Sequence, residues 1–171
     1  MITFITGFMG AGKSYLGKKL ADSDSEVVFR DLDEIIFEQC GKGLANIGQL
    51  IRVAGWDKFR EEEARFLHQI TEELKDHPKA LISLGGGTLL NSDNRDYLKS
   101  LDFIRILYLA TPFSECYQRI KDGEDRPLAQ LGEKGMSDLY VKREEGYKAC
   151  ADACITGSEK ITSFSDLSDL F

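Results

Sequence analysis

The sequence predicts an α/β fold, a doubly wound parallel five-stranded sheet flanked by helices. Three observations predict it. Short apolar runs recur along the 171 residues, and they are continuous rather than alternating, as parallel strands covered on both faces require. Longer amphipathic stretches separate them, which implies right-handed strand–helix–strand crossovers. The first apolar run also ends in a glycine-rich turn that leads directly into a helical pattern.

The strands read in order as "ITFIT" (2–6), "EVVFR" (26–30), "KALISL" (79–84), "FIRILYL" (103–109) and a short fifth, "ACI" (153–155). "KSYLGKKLA" reads as the helix after the first strand. A second helix at about 34–41 can start from Asp31 or Asp33 as its N-cap. Over 56–75, Phe59, Phe66, Leu67, Ile70 and Leu74 recur at helical spacing. Pro112 can open a helix running to about Lys121, because its missing N–H costs nothing in a first turn. "TSFSDLSDLF" gives a last amphipathic helix. The polar stretch 122–135, with three glycines and Arg126 before a proline, reads as a mobile lid. With no repeat or linker, residues 1–171 form one domain: a core of about 1–31, 76–121 and 136–171, a lobe of about 32–75, and the lid.

Composition narrows the function. Hydrophobic content of 42% and charged content of 30% fit one globular domain with a sizeable core. The net charge of −7 and the lack of a Lys/Arg run argue against nucleic acid. An anionic substrate would need basic residues that converge locally. No apolar run approaches the roughly 20 residues that span a membrane, and no basic leader precedes the first strand, so a cytoplasmic protein with no membrane partner is expected. Cys150 and Cys154 stand one helical turn apart, but no C-x-x-C accompanies them and His68 and His77 are distant. Cys40, Cys116, Cys150 and Cys154 are expected to be reduced, small buried hydrophobes.

"GFMGAGKS" (7–14) matches the phosphate-cradling pattern G-x-x-x-x-G-K-[ST], in the strand–loop–helix context it needs. Glycines turn backbone N–H groups toward phosphate oxygens, and the following helix adds its dipole. Lys13 should reach the β- and γ-phosphates, and the Ser14 hydroxyl should bind Mg²⁺. Gly7, Gly10, Ala11, Gly12, Lys13, Ser14 and the next residue, Tyr15, are the candidate nucleotide contacts. A plain turn closing a βα unit would leave the Gly-Lys-Ser combination unexplained. The fold is therefore of the P-loop NTPase type.

Four further features could build an acceptor site. Asp31 and Asp33 follow the second strand, where ligands of open α/β sheets collect. A carboxylate there can take a hydroxyl proton, a second can organise Mg²⁺ through water, and either can instead cap a helix. Arg60 and Glu63, three apart, share a helix face, as a carboxylate grip with its support or as a solvated ion pair. Gly85, Gly86 and Gly87 allow close backbone approach to a ligand, or form a flexible turn. Arg119, Arg126 and Arg143 can stabilise a transferring phosphoryl group, or lie on the surface.

Together these pieces resemble the shikimate kinase family. The resemblance rests on Gly7–Ser14, Asp31-Leu32-Asp33, Phe59-Arg60-Glu61-Glu62-Glu63, Gly85–Gly87, Arg126-Pro127-Leu128, and Arg143 with Tyr147, Ala151 and Asp152, in order from about Ile2 to Ile155. It implies transfer of phosphate from ATP to the 3-hydroxyl of shikimate, within aromatic amino-acid biosynthesis, by a monomer. It implies Asp33 as the base at the reacting hydroxyl, Asp31 on Mg²⁺ through water, and Arg60 and Arg143 on the substrate carboxylate. Glu63 would orient Arg60, Gly85–Gly87 would bind substrate through the backbone, Arg126 would close on the phosphates, and Arg119 would stack on adenine. The chain departs from the pattern in three places: Tyr15 stands where the family has Ser or Thr, Phe37 where it has Glu, and "IGQLIRVAG" adds about three residues, close to one helical turn. Gluconate kinase or a nucleoside monophosphate kinase is the alternative within the fold. A catalytically inactive nucleotide-binding homologue is the alternative outside enzymes, and intact Lys13, Asp33 and Arg126 argue against it.

Overall fold

The computed structural model describes residues 1–121, 128, 131–159 and 161–171. Five parallel strands form one sheet in the order β2-β3-β1-β4-β5, from β1 (Ile2–Thr6), β2 (Val28–Asp31), β3 (Ala80–Ser83), β4 (Ile104–Leu109) and β5 (Ala153–Ile155). Central β1 pairs with β3 through Ile5↔Ser83 and with β4 through Ile5↔Leu107. All five of its residues are buried, which is why its sequence is a continuous run.

Successive residues serve opposite layers. Ile2, Phe4, Ala80 and Ile82 join one core cluster with α2 (Leu32–Cys40) and α4 (Trp56–Leu74). Ile5 and Leu81 join the other with α1 (Lys13–Ser23), α6 (Phe113–Ile120) and α7 (Gly132–Cys150). The apolar spacing of 56–75 is explained by the first cluster, where Phe59, Phe66, Leu67, Ile70 and Leu74 pack.

β1 feeds α1 toward β2 on one side, and β3 feeds α5 (Ser92–Lys99) toward β4 on the other. The chain therefore departs in opposite directions from two neighbouring strands, and a crevice opens at their carboxyl ends. Both glycine-rich stretches, Gly7–Gly12 and Gly85–Gly87, emerge into it.

Some boundaries differ from the sequence reading. β2 begins at Val28 because Val27 still donates to the Asp24 carbonyl in a turn. α2 begins at Leu32, earlier than expected, because Asp31 caps it. The stretch "IGQLIRVAG" forms α3 (Ile47–Ala54), capped by the Asn46 side chain and ended at Gly55, where φ is +84°. Within the stretch read as a lid, residues 132–135 are the first turn of α7, while 122–127, 129 and 130 lie outside the described residues. α8 (Phe164–Ser168) is the expected last helix, with a capping box between Ser163 and Asp166. All four cysteines are free; Cys116 and Cys150 are buried as expected, but Cys40 is only half-buried and Cys154, on the edge strand β5, is exposed. Among the described residues no helix is long and apolar enough to cross a membrane.

Candidate active site

The loop after β1 has the backbone its glycines permit: φ is +78° at Gly10 and +98° at Gly12, a region that disfavours any side chain. Gly12 is the N-cap of α1, with no side-chain cap and no acidic residue in the first turn. The helix thus presents its first N–H groups and positive end to an anion. Lys13 is buried and donates to the carbonyls of Gly7 (3.0 Å) and Phe8 (3.1 Å), so its ammonium lies folded over the loop.

The Ser14 hydroxyl donates to Asp31 Oδ2, joining α1 to the end of β2. Asp31 Oδ1 accepts from the backbone N–H of Asp33 (3.0 Å) and Glu34 (3.4 Å). The two readings of Asp31 are therefore both true of one carboxylate: one oxygen caps α2 and the other faces the phosphate loop. A hydroxyl and a carboxylate oxygen beside that loop form a donor set suited to Mg²⁺, which takes hard oxygens, keeps several waters and relies on substrate phosphates. Among the described residues no group of three or more His, Cys, Asp or Glu side chains forms a metal cage.

Asp33 is the second residue of α2, in its first turn. It lines a cavity of about 350 Å³ together with Ser14, Asp31, Arg60, Glu63, Gly85–Gly87 and Arg143. Burial, reinforced by the nearby charges of Asp31 and Glu63, pushes the Asp33 carboxyl up to about 6, against the opposing pull of Lys13 and Arg60. A second cavity of about 300 Å³ holds Lys13, Tyr15 and Arg119 and shares Met9, Ser14, Asp31, Asp33 and Gly86 with the first. The two are one continuous crevice with the carboxylates at their junction.

The far wall carries the basic residues. Arg60 Nη1 donates to Glu63 Oε2, and the other Glu63 oxygen accepts from the Thr88 hydroxyl at 2.6 Å. Glu63 is 0% exposed, so this is no solvated surface pair. Arg143 on α7 is buried and donates to the Gly86 carbonyl at 3.0 Å, which also accepts from the Tyr147 hydroxyl. Burial lowers the Arg143 pKa, and its buried Nε has no hydrogen-bond partner among the described residues.

Two of the three glycines, Gly85 and Gly87, are crowded by neighbouring side chains, whereas a Cβ at Gly86 would come no closer than 3.4 Å to any atom. A Cβ at Gly85 would stand 2.8 Å from Asp33 Oδ1, and one at Gly87 only 2.3 Å from Arg60 Nη2. Neither has a positive φ. At these two positions acidic and basic side chains occupy the space a Cβ would take.

Arg119 on α6 donates to the Gly10 carbonyl at 3.0 Å and pairs with Glu115 at 3.1 Å. With Tyr15, which is 68% exposed, it borders a further hollow closed by residues 157–159. Arg126 lies outside the described residues. Leu128, two residues on in the same motif, lines the first cavity. Sequence reasoning missed Thr88, although it directly follows the triple glycine. It also missed Trp56, Ile47 and Ile51, which give the first cavity its apolar side. Trp56 stands four residues before Arg60 and so shares its helix face, a signal that was present.

An open parallel sheet, an uncapped helix behind a phosphate loop, and an adjoining acceptor cavity define a P-loop kinase for a small molecule. The family model described as Shikimate kinase matches residues 9–167. A shikimate kinase of Haemophilus influenzae (strain PittEE) is 32% identical over 160 residues, covering 92% of this chain and 83% of its own length. One from Xylella fastidiosa (strain 9a5c) is 34% identical, covering 88% and 79%. The structure of shikimate kinase from Acinetobacter baumannii in complex with shikimate superposes with a TM-score of 0.78 at 29% identity, covering 98% of this chain and 88% of that one. The chain belongs to the shikimate kinase family.

Proposed function

We propose that this enzyme transfers the γ-phosphoryl group of ATP to the 3-hydroxyl of shikimate. The observation that carries the reading is the convergence of Arg60 and Arg143 on a cavity whose other end is the phosphate loop. In a chain of net charge −7, two arginines beside one small cavity suit a single carboxylate.

Gly7, Gly10, Ala11, Gly12 and the start of α1 bind the phosphates through backbone N–H groups, and Lys13 swings from the loop carbonyls to them. Ser14 and Asp31 would hold Mg²⁺, which neutralises phosphate charge when bound. Tyr15 and Arg119 border the base and sugar. Arg60 and Arg143 hold the acceptor carboxylate, Glu63 keeps Arg60 in place, and Gly85–Gly87 let the ring approach the backbone. Asp33, between the two substrates, accepts the proton from the attacking hydroxyl. Because little covalent chemistry falls to the protein, this positioning supplies most of the acceleration. Residues 32–75 serve as the acceptor lobe, and Arg126 is assigned to the phosphates.

An ATP-coupled assay with shikimate, gluconate and nucleoside monophosphates tests the reading. Turnover with shikimate alone is expected; turnover with another acceptor and none with shikimate would overturn it. Within it, Gly87→Ala is expected to raise the KM for shikimate by about 10- to 100-fold, because its Cβ displaces the Arg60 guanidinium. The KM for ATP and the melting temperature should stay near wild type, since only the far end of a flexible side chain has to move.

A further inference from the structure

Trp56 is the chain's single tryptophan and the first residue of α4. Gly55, at φ +84°, turns the chain from α3 into α4 and sets the indole at the rim of the acceptor cavity. There it is 40% exposed, an expensive place for so large an apolar ring. The Arg60 guanidinium carbon sits 5.2 Å from the Trp56 ring centroid and 5.6 Å from that of Phe59. The two rings meet edge to face, 6.0 Å apart at 89°, so each braces the other.

Glu63 holds Arg60 by one nitrogen, Nη1. One such tether fixes a point and leaves the plane of the guanidinium free to turn. A flat ring beneath the group restricts that plane, and cation–π attraction favours the restricted state. A carboxylate that needs two parallel N–H donors binds best when the fork is oriented beforehand.

We propose that Trp56 is a positioning residue for acceptor recognition, holding the Arg60 guanidinium in the plane that receives the acceptor's carboxylate. The inference rests on the shikimate reading above. It adds a residue for which no role has been given, supplied by the turn between α3 and α4.

The test is a double-mutant cycle on kcat/KM for shikimate. Trp56→Ala is expected to raise the KM for shikimate by about three- to tenfold with kcat and the KM for ATP little changed. Trp56→Phe should recover most of the loss. In an Arg60→Ala background the tryptophan change should add almost nothing, because its effect passes through that arginine. A full additional loss in that background would make Trp56 an apolar wall and overturn the proposal, as would an unchanged KM in Trp56→Ala. If Trp56→Ala does not fold, wild-type tryptophan fluorescence decides: emission that does not change at saturating shikimate overturns the proposal. Wild-type protein that binds shikimate calorimetrically without turning it over would refute the kinase reading alone, and the same cycle on dissociation constants would still test Trp56. Wild-type protein that does not bind shikimate at all would refute both.

Discussion

Asp33→Asn is expected to bind ATP as the wild type does and to lose about 10²- to 10⁴-fold in kcat. The amide keeps the shape of the carboxylate but cannot take the proton of the attacking hydroxyl. Lys13, Ser14 and the loop backbone are untouched, so the nucleotide dissociation constant should not move. Activity near the wild type would remove Asp33 from the base role. The same substitution should stabilise the protein, which is the more unusual half of the prediction. Folding lifts the Asp33 carboxyl from 3.8 to about 6, so the folded state holds this proton more tightly than the unfolded chain. Ionisation therefore costs stability; the cost is complete above about pH 6 and vanishes below the ordinary carboxylate range. Asparagine never bears it. In metal-free buffer at pH 8 the variant should be more stable by about 1–3 kcal/mol, and the gap should close as the pH falls toward 4. Denaturant unfolding at a series of pH values measures it. A gap independent of pH would mean that the carboxylate is not desolvated.

That strain shows which parts of the molecule the sequence could reveal. The sheet was legible because β1, β3 and β4 are covered on both faces and are therefore apolar at most positions. β2 was legible only roughly: it lies at the sheet edge, its Arg30 faces solvent, and its boundary is set by a turn hydrogen bond that no composition signals. The phosphate loop was legible because positive φ at Gly10 and Gly12 demands glycine. Asp31 was ambiguous because one residue both caps α2 and faces the loop, and spacing cannot separate two roles that coexist. The triple glycine was read as room for a ligand or as a flexible turn, yet Gly85 and Gly87 are also hemmed in by the side chains of Asp33, Glu63 and Arg60, which reach them from distant elements. Thr88 and Trp56 escaped as well. Thr88 matters through Glu63, whose place beside it only the fold supplies; the spacing of Trp56 and Arg60 was visible, but that their shared face lines the cavity was not.

Arg60 and Glu63 give the second large effect, because the pair is asymmetric. Glu63 is 0% exposed, whereas Arg60 keeps 28% of its side-chain surface open. Arg60→Ala therefore strands a buried carboxylate and should cost about 3–5 kcal/mol of stability, softened by the nearby Arg143 charge. Glu63→Ala leaves a cation that can turn toward water, and should cost less. Replacing both with apolar residues of similar volume, Arg60→Met with Glu63→Leu, removes the stranded charge altogether. It should recover most of the lost stability, short of the roughly 1–3 kcal/mol for the Thr88 hydroxyl that loses its acceptor. Shikimate binding should not recover: the double variant lacks half of the arginine pair, and its KM should stay raised by about 10²-fold or more. Thermal unfolding set beside shikimate KM for the three variants separates the two contributions. If the double variant regained both stability and affinity, Arg60 would not touch the carboxylate, and recognition would rest on Arg143 alone. If it regained neither, the ion pair would be a requirement of the fold, and the buried Glu63 would owe its place to α4 rather than to the acceptor.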